Sequence, residues 1–333
     1  MKLLELYAPL VGLVLFGWWL GRKLPKAIGL YLGRLLFWLG VPLSIVAFLR
    51  QADLSGPIWL APAIAWLAIL LGAGLAWLWI HLTRKQKNSE VGVETRHVAS
   101  AGVETRHVAS VQNQNQKSNW SQPTQGSFLL ASMVGNTGYL GYPITLAIVG
   151  TKYFGWALFY DLLGSTFGAY GLGVVLAAGF GTGFQDRWRL VKALLINPAL
   201  WSFGFGLALR QIPLPEAIEA SLHSLAWATV AFSLVLIGMR LSQLNSWHNL
   251  PRAGISLVIK MLLVPLILGS SLSLFGLSGP PQLVMVLQMA MPPAFATLVI
   301  AEEYNLDRDL SVTTLAVGAI ALLVLLPIWI RLF

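Results

Sequence analysis

The chain has 333 residues, 56% of them hydrophobic and only 11% charged, with a mean hydropathy of +0.71. A soluble domain carries about a quarter of its residues as Asp, Glu, Lys and Arg, so an ordinary water-soluble globule is excluded. The net charge of +9 does not point to nucleic acid, because the basic residues fall in short loops between apolar runs and form no face for a duplex. No cysteine is present, which removes disulfides, zinc–thiolate sites and cysteine nucleophiles from consideration.

A membrane span needs about 20 apolar residues, and the sequence predicts ten, giving an all-α polytopic membrane protein. In chain order they are Leu3–Leu20, Ile28–Leu49, Ile58–Leu82, Ser127–Gly150, Tyr153–Phe180, Ala193–Leu209, Ala217–Met239, Ala253–Phe275, Gln282–Tyr304 and Leu310–Ile330. The first run lacks the basic start, short core and small-residue cleavage site of a signal peptide, and it reads as a span. The sixth is short and has Pro198 near its start. Residues 1–180 and 190–333 read as two halves of five runs each.

Between the third and fourth runs lies a polar insertion, residues 84–125. Within it VGVETRHVAS (Val91–Ser100) is followed by AGVETRHVAS (Ala101–Ser110), and then by the Gln/Asn stretch Gln112–Gln116. Such a composition cannot bury a core, and the segment is expected to be a tolerated loop; the alternative is a docking or sensing segment with His97 and His107 as metal ligands, and no metal site is predicted. The loops on the side of this insertion carry fifteen of the 22 Lys and Arg, and the termini with the opposite loops carry five; Arg34 and Lys260 lie inside runs. By the positive-inside rule the insertion faces the cytoplasm of the cell (inner) membrane and both termini face out.

Only protein-lined or wet backbone departs from helix inside a bilayer, so interruptions point to the site. The fourth run is interrupted at Gly135-Asn136-Thr137-Gly138, with Gly141 and Pro143 following, and the ninth at Met291-Pro292-Pro293-Ala294. They occupy matching places in oppositely oriented halves, the pattern of an inverted-repeat transporter with a mid-membrane site. A broken helix exposes unpaired N–H groups at the start of its second half, an end that carries roughly half a positive charge; two such ends meeting would bind an anion. Asn136 or Thr137 would cap the fourth helix and hydrogen-bond a carboxylate, Pro292 and Pro293 free carbonyls one turn earlier, and Gln288 is the strongly polar side chain near the ninth break.

At these residues the chain resembles the auxin efflux carriers, which include the plant PIN-FORMED proteins and bacterial members and belong to the bile acid/anion transporter superfamily. Asn136-Thr137-Gly138-Tyr139-Leu140-Gly141-Tyr142-Pro143 is similar to that family's fourth-helix signature. Gln288-Met289-Ala290-Met291-Pro292, followed by Ala301-Glu302-Glu303-Tyr304-Asn305, is similar to its ninth-helix signature. Plant members carry a proline where Gly135 stands. The resemblance implies two inverted five-helix repeats, helices four and nine crossing at their breaks, and an elevator in which helices 3–5 and 8–10 slide against 1, 2, 6 and 7. It also implies a small organic anion, auxin-like or another carboxylate, as cargo.

Ionisable residues inside spans are functional candidates. Asp161 and Lys260 fall near mid-membrane, Asp161 as a proton-coupling carboxylate and Lys260 as its partner or an anion guide. The expected function is secondary active transport of organic anions, without enzymatic activity or cofactor, in contact with membrane lipid; a homodimer is left open. A sodium-coupled symporter is the alternative, although Glu302 and Glu303 lie at the cytoplasmic end of the ninth run. An anion channel would need a continuous row of charged residues, and a membrane enzyme would need convergent acid or histidine pairs; the sequence has neither pattern.

Overall fold

The computed structural model describes residues 2–100, 120–181, 195–242 and 249–333. Those residues form twelve helices: α1 (Lys2–Lys23), α2 (Lys26–Gln51), α3 (Leu60–Ser100), α4 (Gln122–Met133), α5 (Thr137–Val149), α6 (Thr151–Phe180), α7 (Pro198–Leu209), α8 (Glu216–Leu241), α9 (Leu250–Phe275), α10 (Pro280–Met289), α11 (Phe295–Glu303) and α12 (Arg308–Leu332). Among the described residues there is no strand, only one isolated antiparallel bridge. Six helices are long and apolar enough to cross a membrane: α2, α6, α8, α9, α12 and residues 60–84 of α3. Leu15, Trp19, Tyr31, Trp38, Leu67, Trp77 and Val324 stand exposed on the outside, an apolar surface far larger than a water-soluble monomer presents.

Every apolar run of the sequence contains helix, and the fourth and ninth runs each contain two, α4 with α5 and α10 with α11. The polar insertion departs from expectation at both ends. At its start α3 continues as helix through Ser100, since Glu, Lys, Gln and Arg propagate a helix already nucleated in the apolar part. At its end residues 120–125 are built into the fold. Ser121 caps α4 through the Thr124 N–H (3.3 Å), Arg84 donates to Trp120 O (3.1 Å), and Thr124 donates to Asp307 (2.9 Å). His107 lies outside the described residues.

α7 has 12 residues, about 18 Å of helix, and by itself covers part of a hydrocarbon core. Its end is closed by Arg50, which donates to Leu209 O (2.5 Å) and Ile212 O (2.9 Å), a cation satisfying terminal carbonyls. Its start, capped by Asn197 accepting from the Ala199 N–H (3.0 Å), reaches the central cavity.

The helices fall into two sets. α1 lies along α8, and α2 along α7 and α8; in the other set α3 packs on α4 and α6, and α9 on α4, α10 and α12. The α1–α8 seam is set by Gly17 and Gly21 on α1 and Gly238 on α8. A Cβ on Gly17 would overlap the Val235 carbonyl oxygen, and one on Gly238 would overlap Val14 O. Gly17 and Gly21 form a Gly-x3-Gly pair, which lets two membrane helices touch backbone to backbone.

Three helices open into π turns two residues before a proline: Leu36–Gly40 before Pro42, Thr137–Gly141 before Pro143, and Val258–Leu263 before Pro265. Proline removes an N–H and crowds the carbonyl four residues back, so the turn widens. In α6 the π turns Asp161–Ser165 and Gly168–Gly173 lie in a glycine-rich stretch instead.

Candidate functional site

The two interruptions meet. Val134 leaves α4 in extended conformation (φ −106°, ψ 117°), and Ala294 precedes α11 in the same region (φ −74°, ψ 150°). The Asn136 N–H donates to Pro292 O (2.7 Å) and the Ala294 N–H to Val134 O (3.1 Å). These two bonds make the antiparallel bridge between Gly135 and Pro293. Groups stranded by one break therefore satisfy groups stranded by the other, which is what a dry interior requires. The break on the α4–α5 side is confined to residues 134–136; Gly138 and Pro143, expected to break the helix, lie within α5. The reason is local, since the π turn absorbs the missing Pro143 donor without ending the helix.

Each second half begins at this crossing. The first N–H groups of α5 and α11 have no acceptor within their own helices. Asn136 Oδ1 takes one of them, the Tyr139 N–H (3.3 Å), whereas α11 begins at Ala294 with no side-chain cap. Both helix starts, Thr137 and Gly138 on one and Phe295 and Ala296 on the other, line a cavity of about 250 Å³. Tyr139, Tyr142, Asp161, Ser165, Tyr170 and Asn197 contribute its polar groups, and Phe37, Val41 and Val299 part of its apolar wall. Tyr170 and Val299 lie towards the ends of α6 and α11 that join Tyr304 at Gly181, so the cavity extends to the side of residues 120–125 and 307.

Asp161 sits at the wall of this cavity in its π turn. Its carboxylate accepts from the Thr137 hydroxyl and from the Tyr142 hydroxyl (2.6 Å). Both donors come from α5, so the carboxyl group fastens α6 to the helix that starts at the crossing. Lys260 points elsewhere: 2% exposed, it donates to Met289 O (2.7 Å), and a Cβ on Gly135 would come 3.2 Å from its Nζ. It is not the partner of Asp161. Its Nζ sits at the carboxyl end of α10, where the last carbonyls accept N–H donors.

Gln288 is also placed away from the cavity. It is 0% exposed, its Nε2 donates to Thr145 Oγ1 (3.1 Å), and it packs on Gly141, where a Cβ would overlap its Oε1. Here it makes an interhelical hydrogen bond between α10 and α5, with Oε1 lacking a partner among the described residues. Pro292 and Pro293 shape the crossing and face a small recess with Asn136 and Phe295, rather than the main cavity. Asn136, Thr137, Gly135 and Gly138 line the cavity, and so do Tyr142 and Asn197, which were not singled out from the sequence. Tyr142 lies within the quoted fourth-helix stretch, four residues after Gly138, and helical spacing from Gly138 would have found it.

A bundle of apolar helices around a crossing of two interrupted ones, with a polar-lined cavity at the crossing, defines a multi-pass membrane transport protein. The comparisons with known proteins agree. Residues 188–330 match the family described as Membrane transport protein. Over 301 residues, 90% of this chain and 87% of the other, the chain is 27% identical to an uncharacterized transporter of Methanothermobacter thermautotrophicus. It is 29% identical over 210 residues to an uncharacterized transporter of Methanocaldococcus jannaschii, covering 61% of this chain and 67% of that protein. Over 139 residues it is 27% identical to a rice (Oryza sativa subsp. japonica) protein named as a probable auxin efflux carrier component, covering 39% of this chain and 33% of the rice protein. The chain is thus similar to this membrane transport protein family over residues 188–330, and to the named transporters over the stretches given.

Proposed function

We propose that this protein is a secondary active transporter of small organic anions, chiefly carboxylates, in the cell membrane. The observation that carries the reading is that the amino ends of α5 and α11 open on one cavity beside a buried carboxyl group. Two such ends supply N–H donors and partial positive charge where a carboxylate loses its water. Asp161 gives the site a proton-binding group next to the anion, which supports proton coupling.

Ten spans arranged as two inverted five-helix repeats accommodate these elements, with α4–α5 and α10–α11 each counting as one interrupted span. In an elevator cycle α3–α6 and α9–α12 would move as one body against α1, α2, α7 and α8. The division of helix contacts into these two sets supports that reading. Proteoliposomes offered a panel of labelled carboxylates under imposed pH and sodium gradients test it. Saturable uptake that follows the pH gradient is expected. Sodium dependence would favour a sodium symporter, unsaturable current a channel, and absence of flux for every member would overturn the reading.

Asn136→Ala removes the cap of α5 and a cavity-lining amide. The expected cost is about 1–2 kcal/mol, or roughly a five- to thirty-fold loss of carboxylate affinity, read as half-saturation in the same liposomes. Pro292→Ala combined with Pro293→Ala restores two backbone donors, lets α10 run on towards α11, and should weaken binding as well. Unchanged affinity in both variants would move the binding site away from the crossing.

Orientation is tested separately. The charge distribution puts the carboxyl end of α3 in the cytoplasm and the termini outside. In a chain without cysteine, Ser100→Cys should resist a membrane-impermeant thiol reagent applied to intact cells and react after permeabilisation. Modification from outside would reverse the topology.

A further inference from the structure

Arg240 stands on the last turn of α8, on the set of helices opposite the crossing. Its guanidinium carbon lies 4.3 Å from the centre of the Phe295 ring, and Phe295 is both the first residue of α11 and part of the cavity wall. On its other side the guanidinium presses against the bare backbone of Gly33 on α2, where a Cβ would come 2.9 Å from Nη2. The side chain is half-buried. Among the described residues it has no carboxylate within ion-pair distance and no hydrogen-bond acceptor.

A guanidinium has a flat face that stacks on rings and an edge of five N–H donors that matches a carboxylate. Here the guanidinium carbon lies over Phe295, and among the described residues its N–H groups have no hydrogen-bond acceptor. A half-buried cation without an acceptor is poorly solvated, and it stands beside the side of the cavity that leads to residues 120–125. An anion approaching from that side therefore passes a group able to bind it in bidentate fashion before it reaches the helix starts.

We propose that Arg240 is a specificity-determining residue of the transporter, receiving the carboxylate of the cargo at the mouth of the cavity and discriminating against neutral analogues. Arg240 packs against Phe295 and Gly33 beside the cavity wall, so little side-chain freedom is lost on binding. The inference rests on the anion-transport reading of the cavity. It adds a charged selector on the α8 side to a site otherwise built from α5, α6 and α11.

The test compares Arg240→Gln and Arg240→Lys with the unaltered protein in liposomes. The probes are labelled acetate, lactate, malonate, benzoate, phenylacetate and indole-3-acetate, with phenylacetamide as the neutral control. For the transported carboxylates Arg240→Gln should raise half-saturation about tenfold while the maximal rate stays within about twofold. Arg240→Lys should recover about a third of the loss, since it keeps the charge but not the fork. In the unaltered protein half-saturation should rise between about 50 and 500 mM salt, and that dependence should disappear in Arg240→Gln.

Unchanged half-saturation in Arg240→Gln, or an equal effect on phenylacetamide, overturns the inference. A fall in maximal rate alone does so too, and would leave Arg240 as a structural contact between α8 and α11. If Arg240→Gln does not fold, the Lys variant and the salt titration of the unaltered protein decide. Carboxylate flux that is weakened by Asn136→Ala but indifferent to Arg240 and to salt sinks this inference alone. No flux of any probe sinks the transport reading with it.

Discussion

Replacing Asp161 with Asn is expected to leave carboxylate binding within about threefold of the unaltered protein and to abolish the response of flux to an imposed pH gradient. The argument starts from the two hydroxyls on α5 that donate to the carboxylate, Thr137 and Tyr142. An ionised carboxyl accepts both. An amide accepts through its oxygen and must donate through its nitrogen, so one hydroxyl reverses its role, at a cost of about 1 kcal/mol. The geometry between α5 and α6 survives, but the group no longer takes up or releases a proton. Flux measured at uniform pH and then under a gradient separates the two properties. If Asp161→Asn still responds to the gradient, coupling belongs to another group and Asp161 is a structural tie.

Gly17→Val should have the largest effect on stability. Gly17 meets the Val235 carbonyl and Gly238 meets Val14 O, both backbone atoms that cannot turn aside as a flexible side chain would. A valine there must push α1 off α8 along the whole seam, costing about 3 kcal/mol, at the upper end for overpacking. Most of the variant should be lost from the monodisperse fraction in size-exclusion chromatography, with a clear fall in melting temperature for what remains. Gly12→Val is the control, because nothing lies within 4 Å of a Cβ at Gly12, and it should behave as the unaltered protein. Equal behaviour of the two variants would mean that the seam does not hold the two helices together.

The helices were legible because hydropathy over twenty residues is a property of the chain alone. The interruptions were legible because Gly135, Asn136, Pro292 and Pro293 are residue types that helices reject. What joins them was not. The bridge between Gly135 and Pro293 pairs backbone groups 158 positions apart, and no local pattern encodes that pairing. For the same reason polar residues inside spans were harder to place than the spans. Gln288 and Lys260 were candidates by polarity and depth, but each turns to a neighbouring helix, Gln288 to Thr145 and Lys260 to Met289 O.

Arg240 was counted with the charges that orient the chain, a reading its place at a helix end invites. Only its stacking on Phe295 distinguishes it from a basic residue at the interface. The continuation of α3 to Ser100 was hidden by composition, which reads a Lys-, Gln- and Glu-rich stretch as loop although the same residues extend a helix readily.

The crossing is fastened by main-chain atoms alone: Asn136 N to Pro292 O and Ala294 N to Val134 O. Selectivity and scaffold are thereby written in different alphabets. Re-lining the cavity at Tyr139, Ser165, Tyr170 or Val299 would change which molecule fits while the joint keeps its pairing. Inserting or deleting a single residue between Val134 and Asn136 would put the two strands out of step and undo the joint whatever the side chains are. A library meant to retune this transporter should therefore vary identities freely around the crossing and hold its length fixed.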